Sequence, residues 1–174
     1  MSRYENCFDR SLAAGHMTAS AWLIDSSGCR ALLTNHKKLN RWLQLGGHAD
    51  GCSDLRAVAL TEAREESGID DIEFVSDSVF DVDVHAIPPQ PQVPAHFHYD
   101  VRFLLRVMAD DTFRVSDESH ELKWFSPREL ASLPVDASVR RLARKWTAWL
   151  AGNQDVQEKG PPPVGAALND QPFS

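Results

Sequence analysis

Cysteine is scarce in this chain. Cys7, Cys29 and Cys52 are far apart among 174 residues and show no paired spacing. They read as reduced thiols of a cytoplasmic protein rather than a disulfide framework. Positive charge is also in short supply, with 18 Lys and Arg against 25 Asp and Glu and a net charge of −7. Nucleic-acid backbones and anionic membranes attract basic surfaces, so neither is expected as the main partner. A small phosphorylated ligand stays compatible, because a bound cation can neutralise it. No apolar run approaches the ~20 residues of a membrane span, and "MSRYENCFDR" has no signal-peptide character. No repeat and no internal linker divides the chain.

What is present is enough for one core. Hydrophobic residues make up 43%, with five Trp and eight Phe, and the length suits one domain of roughly 100–200 residues. Strand-like segments "MTASAWLID" (17–25) and "CRALLTNH" (29–36) flank the turn "SSG", predicting a hairpin. "RWLQL" (41–45) is a short apolar segment running into Gly46-Gly47. "DLRAVALTEAREES" (54–67) predicts a helix with Leu55, Val58, Ala59 and Ala63 on one stripe, Asp54 as N-cap and Gly68 as left-handed C-cap. Strands follow at 72–87, 96–108 and 121–125, with "PPQPQVP" as a loop. "SPREL" starts a short helix with Pro127 in its first turn, and 137–152 is an amphipathic helix. On it Leu142, Trp146, Trp149 and Leu150 form the inner stripe, and Arg140, Arg141, Arg144 and Lys145 a solvated basic face. One domain over 1–152, an α/β sandwich, and a Pro- and Gly-rich extended tail over 153–174 are the expectation.

"TEAREESGI" (61–69) carries the chemistry. Glu62, Glu65 and Glu66 share one helix face at i, i+3 and i+4, where like charges cost a few tenths of a kcal/mol each. A hard divalent cation such as Mg²⁺ or Mn²⁺, which takes carboxylate oxygens and substrate phosphates, would offset that repulsion. A plain solvated acidic face is the alternative from these residues alone.

From Gly47 the chain reads "GHADGCSDLRAVALTEAREESGI". This resembles the signature of the Nudix hydrolase family: Gly, five residues, Glu, seven residues, Arg-Glu-aliphatic-any-Glu-Glu-any-Gly-aliphatic. The match holds at Gly47, Glu62, Ala63, Glu65, Glu66, Gly68 and Ile69. It fails at Ser53, which replaces the first Glu, and at Thr61, which replaces the Arg. Those two side chains support the loop–helix geometry in the family, and here both are absent together. The resemblance implies a Nudix-type α/β/α sandwich with a mixed β-sheet. It implies hydrolysis of a diphosphate linkage in a nucleoside diphosphate joined to another moiety, such as ADP-ribose, a nucleotide sugar or an NTP-like substrate. Glu62, Glu65 and Glu66 would hold Mg²⁺ or Mn²⁺, with the Gly46 carbonyl as a backbone ligand. The cation would neutralise the diphosphate, activate water and hold it in line. The proton acceptor would be Glu62 or, from "SDESHELKW" (116–124), Glu118, which is favoured for its place in the loop before the strand and could also be a metal ligand; Glu121 begins a strand and reads as structural or exposed.

His48 sits in the motif loop within reach of a phosphate or metal; His96 and His98 share a strand face, and "HFHYD" could line the substrate pocket through His96, His98 or Tyr99. His16 is expected just before the first strand and His85 at a strand end. Isopentenyl diphosphate isomerases, relatives of the same fold, have Cys-Gly-His at this turn. Gly46 stands at the cysteine's place here, so that protonation chemistry lacks its donor, although a second cation near His48 stays compatible. A non-catalytic nucleotide-sensing domain, motivated by Ser53 and Thr61, is the second functional reading. Many relatives dimerise, so a homodimer belongs among the expected partners beside the phosphorylated small molecule.

Overall fold

Alternation along one long strand organises the molecule. In a computed structural model of the protein, residues 6–37, 39–115 and 119–159 are described. Strand β1 (Gly15–Ile24) sends Ala19, Ala21 and Leu23 to one face of the sheet and Trp22 and Ile24 to the other. Successive strand residues point to opposite faces, so a strand buried on both sides reads as a nearly unbroken apolar run. Along its whole length β1 pairs in parallel with β7 (His96–Val107), from Gly15↔Phe97 to Ile24↔Arg106.

The remaining strands extend this pair into a mixed eight-stranded sheet. Strands β2 (Ala31–His36), β3 (Arg41–Leu43) and β8 (Ser119–Phe125) lie on the β1 side, and β5 (Ile72–Phe74) and β6 (Asp81–Ile87) pair antiparallel with β7. Strand β4 (Leu45–His48) pairs antiparallel with β1, matching Ser20 to Gly46 and Thr18 to His48. Helix α1 (Leu55–Ser67) covers one face through Val58, Ala59 and Ala63. Helices α2 (Pro127–Ser132) and α3 (Ala137–Lys159) cover the other through Leu130, Val139, Leu142 and Trp146. The result is the expected α/β/α sandwich. Trp149 and Leu150 complete the inner stripe of α3 against the same cluster.

The local signals of α1 operate as predicted. The Asp54 carboxylate accepts from the backbone N–H groups of Arg56 and Ala57, both at 3.1 Å. Gly68 adopts φ 67° and returns its N–H to the Arg64 carbonyl, the left-handed ending that glycine favours.

Three boundaries differ from the sequence expectation. The 72–87 segment is two strands, because "SDS" at 76–78 breaks it with turn-forming side chains. The 41–45 segment is likewise split, at Gln44. Helix α3 continues past Gly152 to Lys159, since "NQDVQEK" holds no proline and no glycine to stop propagation. Among the described residues, no helix is long and apolar enough to cross a membrane.

Candidate active site

A cleft of about 590 Å³ opens at one end of the sheet, and Glu62, Glu65 and Glu66 all line it. Helix α1 packs on the face of β1 that carries Ala19 and Ala21, yet Thr18 and Ser20 of the opposite face also line the cleft. The carboxylates reach it across β4, where Gly46 and Gly47 present no side chains. A Cβ on Gly47 would collide with the Glu62 carboxylate, and one on Gly46 with Ser20. Gly46 also has φ 153°, and its N–H donates to Glu66 Oε1 at 2.8 Å. The glycine pair, inside β4 rather than at a turn, is therefore a seat for two carboxylates.

Asp100 forms the floor. Its carboxylate accepts from Thr18 at 3.0 Å and Ser20 at 2.8 Å, and pairs with Arg102 Nε at 2.6 Å. Arg102 is 2% exposed and also meets Asp81 at 3.4 Å and Asp83 at 3.3 Å. Arg141 and Lys145 of α3 reach Asp81 at 2.7 and 2.8 Å. These two residues keep partly exposed side chains but are ion-paired to Asp81 rather than simply solvated, which refines the sequence expectation. Three carboxylates here need three cations, and α3 supplies the two that Arg102 cannot. Burial would raise the Asp81 pKa, but the bonds from Arg141 and Lys145 outweigh it and hold the carboxyl below its ordinary value.

Beside the floor five imidazoles gather. Strand register places them: His16 lies beside His98, His98 beside His85, and His48 beside Thr18. Ring centroids are 4.8 Å apart for His16 and His98, 5.0 Å for His16 and His96, 5.0 Å for His48 and His98, and 5.3 Å for His85 and His98. Burial, followed by the neighbouring imidazoles, pushes His98 down to about 3. Burial also holds His16 and His48 below their usual range. These three rings are neutral at pH 7.

His48 and His98 line the cleft itself, whereas His96 stands behind His98. Tyr99 lies on the opposite face of β7 and is 41% exposed, so it does not join a pocket with the histidines. His16 is inside β1 rather than before it, and His85 is inside β6. Glu121 is exposed on β8. Glu118 lies outside the described residues. Arg10, Gln44 and Asp100 also line the cleft, and sequence reasoning missed them. Arg10 pairs with Asp50, its Nε 2.6 Å from Oδ1. A polar Asp inside the apolar stretch of β7 was the one available signal for the floor.

The chain matches the NUDIX domain family model over residues 15–150. No curated protein matches. Among solved structures, a C. elegans Ap4A hydrolase in a binary complex superposes with a TM-score of 0.63 at 20% identity, covering 78% of this chain and 98% of that one. A NUDIX family hydrolase from Clostridium perfringens gives 0.61 at 21%, covering 78% and 97%. The NUDIX domain of Shewanella oneidensis NrtR, in complex with ADP ribose, gives 0.57 at 15%, covering 81% and 92%. With its three box glutamates on one cleft and its fold that of these structures, the chain belongs to the Nudix hydrolase family.

Proposed function

We propose that this protein is a divalent-cation-dependent hydrolase that cleaves a diphosphate linkage in a nucleoside diphosphate joined to another moiety. The observation that carries this is the convergence of Glu62, Glu65 and Glu66 on one cleft across a glycine edge that leaves room for their carboxylates. That all-oxygen donor set suits Mg²⁺ or Mn²⁺. Glu62, Glu65, Glu66 and the Gly46 carbonyl would hold the cation. Bound there, it supplies charge neutralisation for the diphosphate and a more acidic attacking water. The Gly46 N–H fixes Glu66. Glu62, seated over Gly47, is placed to accept a proton, and Glu118 is the second candidate for that role and for metal ligation. Arg10, beside the cleft, offers a positive charge to a phosphate, and His48 and His98 offer imidazole nitrogens to the substrate.

ADP ribose bound by the Shewanella domain and the Ap4A hydrolase activity named for the C. elegans protein suggest where to begin. The test is a panel of ADP-ribose, nucleotide sugars, dinucleoside polyphosphates and nucleoside triphosphates with Mg²⁺ or Mn²⁺ and the full chain. Release of phosphate or nucleoside monophosphate is expected. Glu66→Gln should fold normally and lose about 10³-fold in turnover, equivalent to about 4 kcal/mol. Glu118→Gln tests the second candidate: near-normal turnover assigns the proton to Glu62, and a comparable loss with cation affinity unchanged assigns it to Glu118. Full activity in Glu66→Gln would refute the site. A cytoplasmic setting fits the reduced thiols of Cys7, Cys29 and Cys52.

A further inference from the structure

One group of rings in the cleft is unexplained by diphosphate hydrolysis at the carboxylates. His16, His96 and His98 each offer a ligand nitrogen, and those atoms lie within 4.8 Å of one another. His16 is 3% exposed, and neither of its ring nitrogens makes a well-aligned hydrogen bond, although the Leu12 backbone acts on the ring. A neutral imidazole holds one N–H and one lone pair. Leaving such groups buried and unmet is costly. The two facing nitrogens of His96 and His98 are 3.2 Å apart. The other nitrogen of His96, Nδ1, is 2.9 Å from the Pro94 carbonyl. A carbonyl only accepts, so Nδ1 carries the proton and Nε2 turns a lone pair towards His98. That is how ligating histidines are commonly oriented, with the outer nitrogen donating to a carbonyl or carboxylate.

We propose that His16, His96 and His98 form a binding site for a borderline divalent metal ion of the zinc type, separate from the carboxylate site. Imidazole nitrogens select zinc-like ions, whereas carboxylate oxygens select Mg²⁺ and Mn²⁺. Three protein ligands with one position left open is the arrangement of reactive zinc sites. Of the three ligands only His98 lines the cleft, so a substrate would reach the ion from the His98 side. A zinc–nitrogen bond of about 2.0–2.1 Å puts tetrahedral ligands about 3.3 Å apart. The His96–His98 pair already meets this at 3.2 Å, and the other ligand nitrogens lie no more than 4.8 Å apart, so binding would draw them closer. His48 and His85 also flank His98, with ring centroids 5.0 and 5.3 Å away, and both line the cleft. Asp83 accepts from or pairs with His85 Nδ1 at 3.1 Å, which fixes that ring. A substrate phosphate oxygen would take the open position. That last role rests on the hydrolase reading, whereas occupancy of the site does not.

The full chain is stripped with a chelator, reloaded with Zn²⁺ in excess Mg²⁺, dialysed, and assayed for metal by mass spectrometry. One zinc per chain is expected in the wild type and in Glu66→Gln. Zinc affinity in His16→Gln and in His96→Gln should fall more than about 100-fold, since loss of an outer-layer partner alone costs 10–100-fold. Cobalt substitution should give a visible d–d band that both histidine variants lose. If circular dichroism shows His16→Gln unfolded, the more accessible His96→Gln decides. No zinc in the wild type, or equal zinc in a folded His96→Gln, overturns the site. Loss of turnover in Glu66→Gln with zinc retained leaves the two sites independent. Hydrolysis failing on every substrate while zinc binds would remove the hydrolase reading and keep this one.

Discussion

The carboxylate wall and the imidazole cluster share one cleft but are built by opposite means. Glu62, Glu65 and Glu66 come from a single helix, with Glu65 exposed and the other two half-buried. The imidazoles come from four strands, β1, β4, β6 and β7, and His16 is nearly inaccessible. One wall is hard, oxygen-bearing and open to water. The other is nitrogen-bearing and partly dry. Proximity within a cleft therefore does not imply shared chemistry, because donor type and burial divide it into two environments.

Arg102 tests whether the strand-built side depends on its ion network. Arg102→Met leaves Asp81, Asp83 and Asp100 short of one buried cation. Breaking such a set costs about 3–5 kcal/mol. Thermal melts should register a large drop, and a change below about 1 kcal/mol would show that the network contributes little. Gly47→Ala probes the helix-built side in turn. The added methyl displaces Glu62, and a misplacement of about 1 Å can cost on the order of 10²-fold in rate. Turnover should fall while metal retention by the histidines stays at the wild-type level, and an equal fall in both would merge the two environments. The smallest expected effect is in acid. Asp81 titrates below its unfolded value of about 3.9, so the folded form keeps its carboxylate where the unfolded chain would begin to protonate. Its contribution is complete above that value and is lost as pH falls through the folded pKa. Melting curves between pH 5 and pH 2 should show this loss, and Asp81→Asn should flatten it. Equal slopes for both proteins would remove Asp81 from the acid limb.

The contrast also explains what could be read from the residues. The glutamate wall obeys a local rule of i, i+3 and i+4 spacing, so the helix, its Asp54 cap and its Gly68 ending follow from sequence. The two glycines before it were visible, but their work as a seat for Glu62 and Glu66 was not, since it depends on β4 running along β1. The imidazole cluster depends entirely on register. His96 and His98 share a face by simple alternation, whereas their meeting with His16 requires the parallel pairing of β1 and β7. Likewise the basic residues Arg141 and Lys145 look solvated on a helical wheel, and only the antiparallel match of Asp81 to Arg102 shows their counter-charges. Glu118 lies outside the described residues, so the choice between it and Glu62 belongs to the mutants.

The parallel pairing of β1 with β7 has a consequence for the order of assembly. Thr18 and Asp100, neighbours in that pairing, are 82 positions apart along the chain. Contacts of such long range form late, because closing the intervening loop costs entropy before any contact rewards it. A nascent chain therefore brings His16 to His98 only once β7 has been made and paired, and the proposed zinc-type site could fill only then.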